Sequence, residues 1–301
     1  TVGTSGMNGS RRGPVVASAF ALPAFTCGPA ATGLAKDAAV WPPSGYFLAL
    51  LLLMPARARP RISAFAGMAL ASLAANMWGG VPPLSCLAYT LANGCEAAIA
   101  LRLIRRDRTE DLSFMVPRSV VSFCGAVLGA SVAGAAIAGT LVGASVDFYL
   151  SWLTTVLLGM LIVTPPIVML ARMVETKAMG NAPPRMKAEE TAVLSAPGLV
   201  TIAAFSQAEF PATFLPCMAV VAAAYRLGPF GAAAGILIVT IITSLLSGQG
   251  YGPIAAIDEP AKVKVLFLQF YLLSLLFTTL PLASLLIVRQ RLAKRLEQSN
   301  R

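Results

Sequence analysis

Histidine is absent from all 301 residues. That removes histidine-ligated zinc or haem, a Ser-His-Asp triad and a phospho-accepting histidine from the chemistry open to this chain. Charge is scarce as well. Asp, Glu, Lys and Arg make up 12% of the residues, where a soluble domain carries about 25%. The five cysteines (Cys27, Cys86, Cys95, Cys124 and Cys217) are odd in number, lie in apolar runs and lack metal-ligand spacing. Cys86 and Cys95, nine residues apart on one helix, cannot bridge. Apolar residues are what the chain has in excess: 57% of the total, with a mean hydropathy of +0.75. The apolar runs follow one another with short breaks. They read as one all-α membrane domain, a polytopic transmembrane helix bundle.

Ten apolar stretches are candidate spans: 14–35, 44–56, 63–79, 84–101, 114–144, 149–171, 191–208, 212–226, 229–247 and 265–288. The second is short, and the fifth is long enough to tilt, kink or hide a re-entrant piece. Pro14, Pro23 and Pro29 interrupt the first, and Arg11-Arg12 before it also suits a secretory leader. A membrane helix is the preferred reading, because no small-x-small cleavage site stands out. The chain begins at Thr1, which reads as a processed or partial sequence. Residues 1–13 then form a cytoplasmic tail, 14–288 the membrane domain, and 289–301 the start of a cytoplasmic helix or linker.

The charges are distributed by side. With the N-terminus inside, the outer gaps hold only Lys36, Lys262 and Lys264, so 20 of the 23 Lys and Arg lie inside. Asp37, Asp147, Glu209, Asp258 and Glu259 fall outside. This satisfies the positive-inside rule and places both termini in the cytoplasm. A net charge of +10 is explained by topology. A nucleic-acid partner would want a continuous basic face with aromatic platforms, and none is present.

An acid inside a span costs about 2.5–3.5 kcal/mol on insertion scales, so Glu96 stands out. Asn93 lies three residues earlier on the same helical face, and Tyr89 extends that face by another turn. The group is either a ligand, ion or proton site, or polar glue between helices, or a carboxyl paired with a loop arginine. Gln269 lies inside the last span. Arg226 precedes Gly228-Pro229-Phe230-Gly231, a tight inner turn, where it can anchor to lipid phosphate or pair with a carboxylate. The GxxxG pairs Gly125/Gly129 and Gly139/Gly143 suggest close helix contact, within one protomer in preference to dimerisation. The loop Gly248-Gln249-Gly250-Tyr251-Gly252-Pro253 lacks the Lys-Ser/Thr and βα context of a phosphate cradle.

Several of these residues resemble the MASE1 domain, a bacterial membrane-associated sensor region found upstream of signalling output domains. Trp41-Pro42-Pro43-Ser44-Gly45 looks like the family's W-P-x-[ST]-G segment. Asn93-Gly94-Cys95-Glu96-Ala97 with Arg105-Arg106 looks like its N-x-x-E-A helix ending in a dibasic turn. Trp152, Leu158-Gly159 and Thr164-Pro165 match its W…L-G…T-P helix. Arg226-Leu227-Gly228-Pro229-Phe230-Gly231 and Gly250-Tyr251-Gly252-Pro253 match its R-x-G-x-x-G turn and G-x-G-P loop. One position departs: Val156 stands where the family often has an acid. The family is usually drawn with about eight helices, so two of the ten spans can be half-helices.

The resemblance implies sensing, with a histidine kinase or a cyclic-di-GMP enzyme as output. The sequence itself carries no G-G-D-E-F, E-A-L or kinase motif and no cofactor motif, and reads as non-catalytic. Leu285, Val288, Leu292 and Leu296 recur at coiled-coil spacing, which suggests a homodimer through the last helix. Arg289, Arg291, Lys294 and Arg295 would lie among lipid headgroups. A permease is the main rival, with Glu96 and the Thr164-Pro165-Pro166 break in its favour and the want of an internal repeat against it. A lipid or quinone enzyme lacks an acid–base constellation here.

Overall fold

A computed structural model describes residues 39–54, 58–106, 112–178, 188–207 and 212–299. The first candidate span, the N-terminal tail, Lys36, Asp37, Arg57 and Glu209 lie outside the described residues. The all-α bundle expected from composition is what forms. Among the described residues its helices are α1 (Pro42–Leu53), α2 (Ala58–Trp78), α3 (Pro83–Arg106), α4 (Pro117–Val142), α5 (Val146–Ala178), α6 (Ala188–Phe205), α7 (Phe214–Gly248) and α8 (Ala261–Ser299). Five of them, α3, α4, α5, α7 and α8, are long and apolar enough to cross a membrane. Their outer faces are greasy. Leu84, Leu87 and Leu91 of α3 and Phe267, Phe270 and Phe277 of α8 are exposed. The polar Thr90, Glu96 and Gln269 point inward, the arrangement a hydrocarbon solvent favours.

α1 is the exception that organises the rest. At 12 residues it is about 18 Å long, short of the ~30 Å core of a bilayer. It is apolar all round, as a helix enclosed by others must be, and it packs on α5, α3 and α2. Pro42 opens its first turn, where a missing N–H leaves no orphan donor. The irregular backbone before it is held by protein. Trp41 N–H donates to the Thr155 carbonyl at 3.0 Å, and Gln269 Nε2 donates to the Ala39 carbonyl at 3.0 Å. At the other end Arg105 donates to the carbonyls of Leu51 (3.3 Å) and Met54 (3.2 Å), satisfying acceptors that the helix leaves open.

α7 is a hairpin. Gly228 has φ 66° and ψ −151°, a region in effect restricted to glycine. A Cβ on Gly231 would run into the Ala223 carbonyl, and one on Gly235 would touch Val220 at 3.3 Å. Pairs that close in space, centred on residue 228, belong to antiparallel legs, 214–227 and 229–248. The legs are about 21 and 30 Å long, so the first is a half-span. The tight turn read from the sequence is therefore present. Gly228→Val forces a β-branched residue into a glycine conformation and drives its Cβ to 2.8 Å from Ile287 Cδ1. It should cost about 1–3 kcal/mol from the backbone alone and lower both folded yield and detergent melting temperature. An unchanged melting curve for Gly228→Val and Gly231→Val would remove the turn.

Three expectations need correction. Gly125 and Gly129 do not mediate close packing: no neighbour lies within 4 Å of a Cβ built on Gly125, and the nearest to one on Gly129 is at 3.7 Å. Gly139 does mark a close helix contact within the protomer, making room for Tyr149 of α5, whereas Gly143 is a left-handed helix cap at φ 63°, where glycine is favoured. Thr164-Pro165-Pro166 is no break, because α5 stays helical through both prolines. The fifth candidate span, 114–144, holds a single 26-residue helix that begins at Pro117, so no re-entrant piece forms in it and tilt is the alternative left for its extra length.

Candidate functional site

Glu96 is fully buried, one turn below Asn93 on α3. Ser44 Oγ, in the first turn of α1, donates to Glu96 Oε1 at 3.0 Å. Gly134 of α4 lies against the carboxyl, so close that a Cβ there would overlap Oε2. The Trp152 indole N–H of α5 lies beside the same carboxyl without the alignment of a regular hydrogen bond. Four helices thus meet on one acid. Among the described residues no arginine is paired with it, and Arg57 and Arg108 of the inner loops lie outside them. The first turn of α1 also presents the positive end of a helix dipole to this group.

Above Glu96 lies a cavity of about 420 Å³. Tyr89, Phe148 and Trp152 form a continuous aromatic wall, with ring centroids 5.2 Å apart for Tyr89–Trp152, 5.8 Å for Tyr89–Phe148 and 5.7 Å for Phe148–Trp152. Trp41, Asn93, Val156 and Gln269 also line it, and Asp147 and Lys262 stand at its rim. From Asp147 to Val156 the wall follows ten residues of α5, nine steps and a depth of about 14 Å. The rim residues pair at 3.2 Å and are largely exposed. A second, more apolar cavity of about 260 Å³ lies between α1, α2 and α3, and Trp41, Asn76 and Asn93 border both. Beside this partition Thr90 Oγ1 donates to Ser72 Oγ at 3.0 Å, and Asn76 Nδ2 donates to the Ser72 carbonyl at 2.8 Å. Asn93 Nδ2 reaches Ser72 Oγ at only 3.4 Å.

The residues singled out from sequence divide into those that meet here and those that do not. Tyr89, Asn93 and Glu96 gather with Trp41 and Trp152. Gly45 and Gly159 bring α1 and α5 into backbone contact: a Cβ on Gly45 would overlap the Gly159 carbonyl, and one on Gly159 would overlap the Trp41 carbonyl. Thr164 Oγ1 locks the same contact by donating to the Gly45 carbonyl at 2.8 Å, just before Pro165. Arg226 is elsewhere. It pairs with Glu189 at the start of α6 at 3.1 Å, at the opposite end of α5 from Asp147, so the carboxylate partner is the one realised. Gly228 and Gly231 build the α7 hairpin. Gly250 and Gly252 both have positive φ, and Gly252 packs on Phe205 next to Pro253. Ser44, Gly134 and Thr155 join the residues that meet at the site, and of these three only Ser44 lies in a family motif, Trp41-Pro42-Pro43-Ser44-Gly45. Gln269, an amide inside the last span, has a role here. It donates to Thr155 Oγ1 at 3.2 Å as well as to Ala39, which fixes its amide orientation.

A buried acid on four helices, an amphipathic cavity above it and lipid-facing flanks define a multi-pass helical membrane protein built around a polar core site. The chain belongs to the MASE1 family, whose match covers residues 14–291, nearly the whole sequence. MASE1 domains are membrane-associated sensory input domains. No curated protein and no solved structure matches the chain.

Proposed function

We propose that this chain is the input part of a signalling protein: a stimulus arriving at the Glu96 cluster or the cavity above it shifts helix packing, and α8 carries the shift to a cytoplasmic output module. The output is a histidine kinase or a cyclic-di-GMP enzyme. The observation that carries this reading is the course of α8. Gln269 lines the cavity, and the same helix runs on to Ser299, 30 residues and about 45 Å further. A helix that stays continuous through Pro281 over that length transmits displacement or rotation without a wire of side-chain contacts. Residues 289–301 form the start of the linker, after a sensor domain of 14–288 and a tail of 1–13. Leu285, Val288, Leu292 and Leu296 are all exposed on α8. A second copy covering that seam gives the homodimer such outputs use.

Both termini are cytoplasmic in this reading, and the Asp147–Lys262 rim faces outward. Fusions of alkaline phosphatase and of green fluorescent protein to the C-terminus test it. The expected result is a fluorescent fusion with no phosphatase activity, and an active phosphatase with a dark fluorescent protein overturns the topology. A chimera with a diguanylate cyclase after Arg301 tests the sensory assignment. A sensor sets cyclase output by its packing, so that membrane substitutions change product formation. A permease leaves the fused cyclase indifferent to them.

A further inference from the structure

The geometry points to a binding site for a small zwitterion, a molecule with one ammonium and one carboxylate on a planar apolar body, in the cavity beneath the Asp147–Lys262 pair. The assignment deepens the sensory reading and rests on it for the side from which the ligand arrives. Size comes first. About 420 Å³ lies within the range of small-molecule sites and holds an amino-acid-sized molecule with room to spare. The walls come second. Tyr89, Phe148 and Trp152 present joined ring faces, which favour an offset-stacked planar group. Val156 and Val265 lie in the same lining, so the part of the ligand that enters must be uncharged.

The rim decides the charge. Asp147 and Lys262 pair with each other at 3.2 Å, and both side chains are more than 70% exposed. Exposed pairs of this kind are held loosely, so a ligand can part them cheaply. A simple cation that takes Asp147 leaves Lys262 without its carboxylate, and a simple anion leaves Asp147 without its ammonium. A zwitterion supplies a partner to each, ammonium to Asp147 and carboxylate to Lys262, with no net charge brought to the membrane. The bound molecule would touch α5 through Trp152 and α8 through Lys262. Trp152 in turn lies beside Glu96, which links occupancy of the cavity to the buried acid.

The test uses the full chain in lipid nanodiscs, titrated with L-phenylalanine and followed by calorimetry and by indole emission. Two of the three tryptophans, Trp41 and Trp152, line the cavity. Saturable binding is expected. Phenethylamine, which keeps the ammonium alone, and 3-phenylpropionate, which keeps the carboxylate alone, should each bind at least about tenfold more weakly, on the order of 1.4 kcal/mol. Asp147→Asn and Lys262→Met should each weaken phenylalanine by about the same factor and leave the melting temperature unchanged. The proposal is overturned by phenethylamine binding as tightly as phenylalanine, by wild-type affinity in both rim variants, or by no saturable binding of phenylalanine at all. Binding is read on the chain without any output. Its failure leaves the sensory reading standing, and a deaf cyclase chimera leaves the binding result standing.

Discussion

Gly45→Ala and Gly159→Ala should each remove most of the folded protein, while Gly125→Ala should leave it intact or slightly more stable. All three are the same chemical change in a membrane helix, and the difference is what the new methyl meets. On Gly45 and Gly159 it meets main-chain carbonyl oxygens, those of Gly159 and Trp41. A carbonyl cannot swing aside as a side chain can, so relief requires α1 and α5 to move apart. That would also stretch the Trp41–Thr155 and Thr164–Gly45 hydrogen bonds, now 3.0 and 2.8 Å. Overpacking of ordinary side chains costs about 1–3 kcal/mol, and this pair belongs at or above the top of that range. On Gly125 the methyl meets nothing within 4 Å and gains the helix propensity of alanine, up to about 1 kcal/mol. Monodisperse yield and thermal melting in detergent measure the contrast. Equal behaviour of the three variants would remove the α1–α5 contact as the centre of the fold.

That contrast also marks what the sequence could reveal. The apolar helices were legible because hydropathy is a local property of the chain, but their number as spans was not: of the ten apolar stretches, five helices among the described residues are long and apolar enough to cross a membrane. The turn at Gly228 was legible because Gly and Pro sit beside each other there. The α1–α5 contact was not legible from spacing, because it is made by one glycine on each of two helices 114 residues apart. The two GxxxG pairs drew attention to close packing at Gly125 and Gly129, which face outward. The buried acid was found because a carboxyl in a span is conspicuous, and its neighbours on one helical face followed from the period of the helix. Its partners on other helices, Ser44, Gly134 and Trp152, depend on tertiary packing, and only the family motifs drew Ser44 and Trp152 into view. Gly134 had no such motif. The rim pair Asp147–Lys262 joins residues 115 positions apart. From sequence each was only a topological charge.

Glu96→Gln should leave the protein inserted and folded while fixing the output of a cyclase chimera at one level. The amide keeps the shape of the carboxyl, and its oxygen can still accept from Ser44 Oγ, now 3.0 Å away. What it loses is the ability to change charge, and with it the means by which a ligand or ion could favour one packing of four helices over another. Product formation with and without phenylalanine, together with the melting temperature, separates the signalling role from a structural one. Gly134 supplies an independent check. A Cβ at Gly134 would press on the Glu96 carboxyl, so Gly134→Ala alone should destabilise by about 1–3 kcal/mol through overpacking. Combined with Glu96→Ala the methyl enters the space the acid has left, and the two costs should fall short of adding by more than about 0.5 kcal/mol, as contacting residues do. Full additivity would mean that the carboxyl does not rest on Gly134. A Glu96→Gln chimera that folds and responds as the parent does would reduce the acid to packing between helices. If the variant instead fails to fold, the carboxyl is needed to assemble the bundle, and the stimulus must act elsewhere in the cavity.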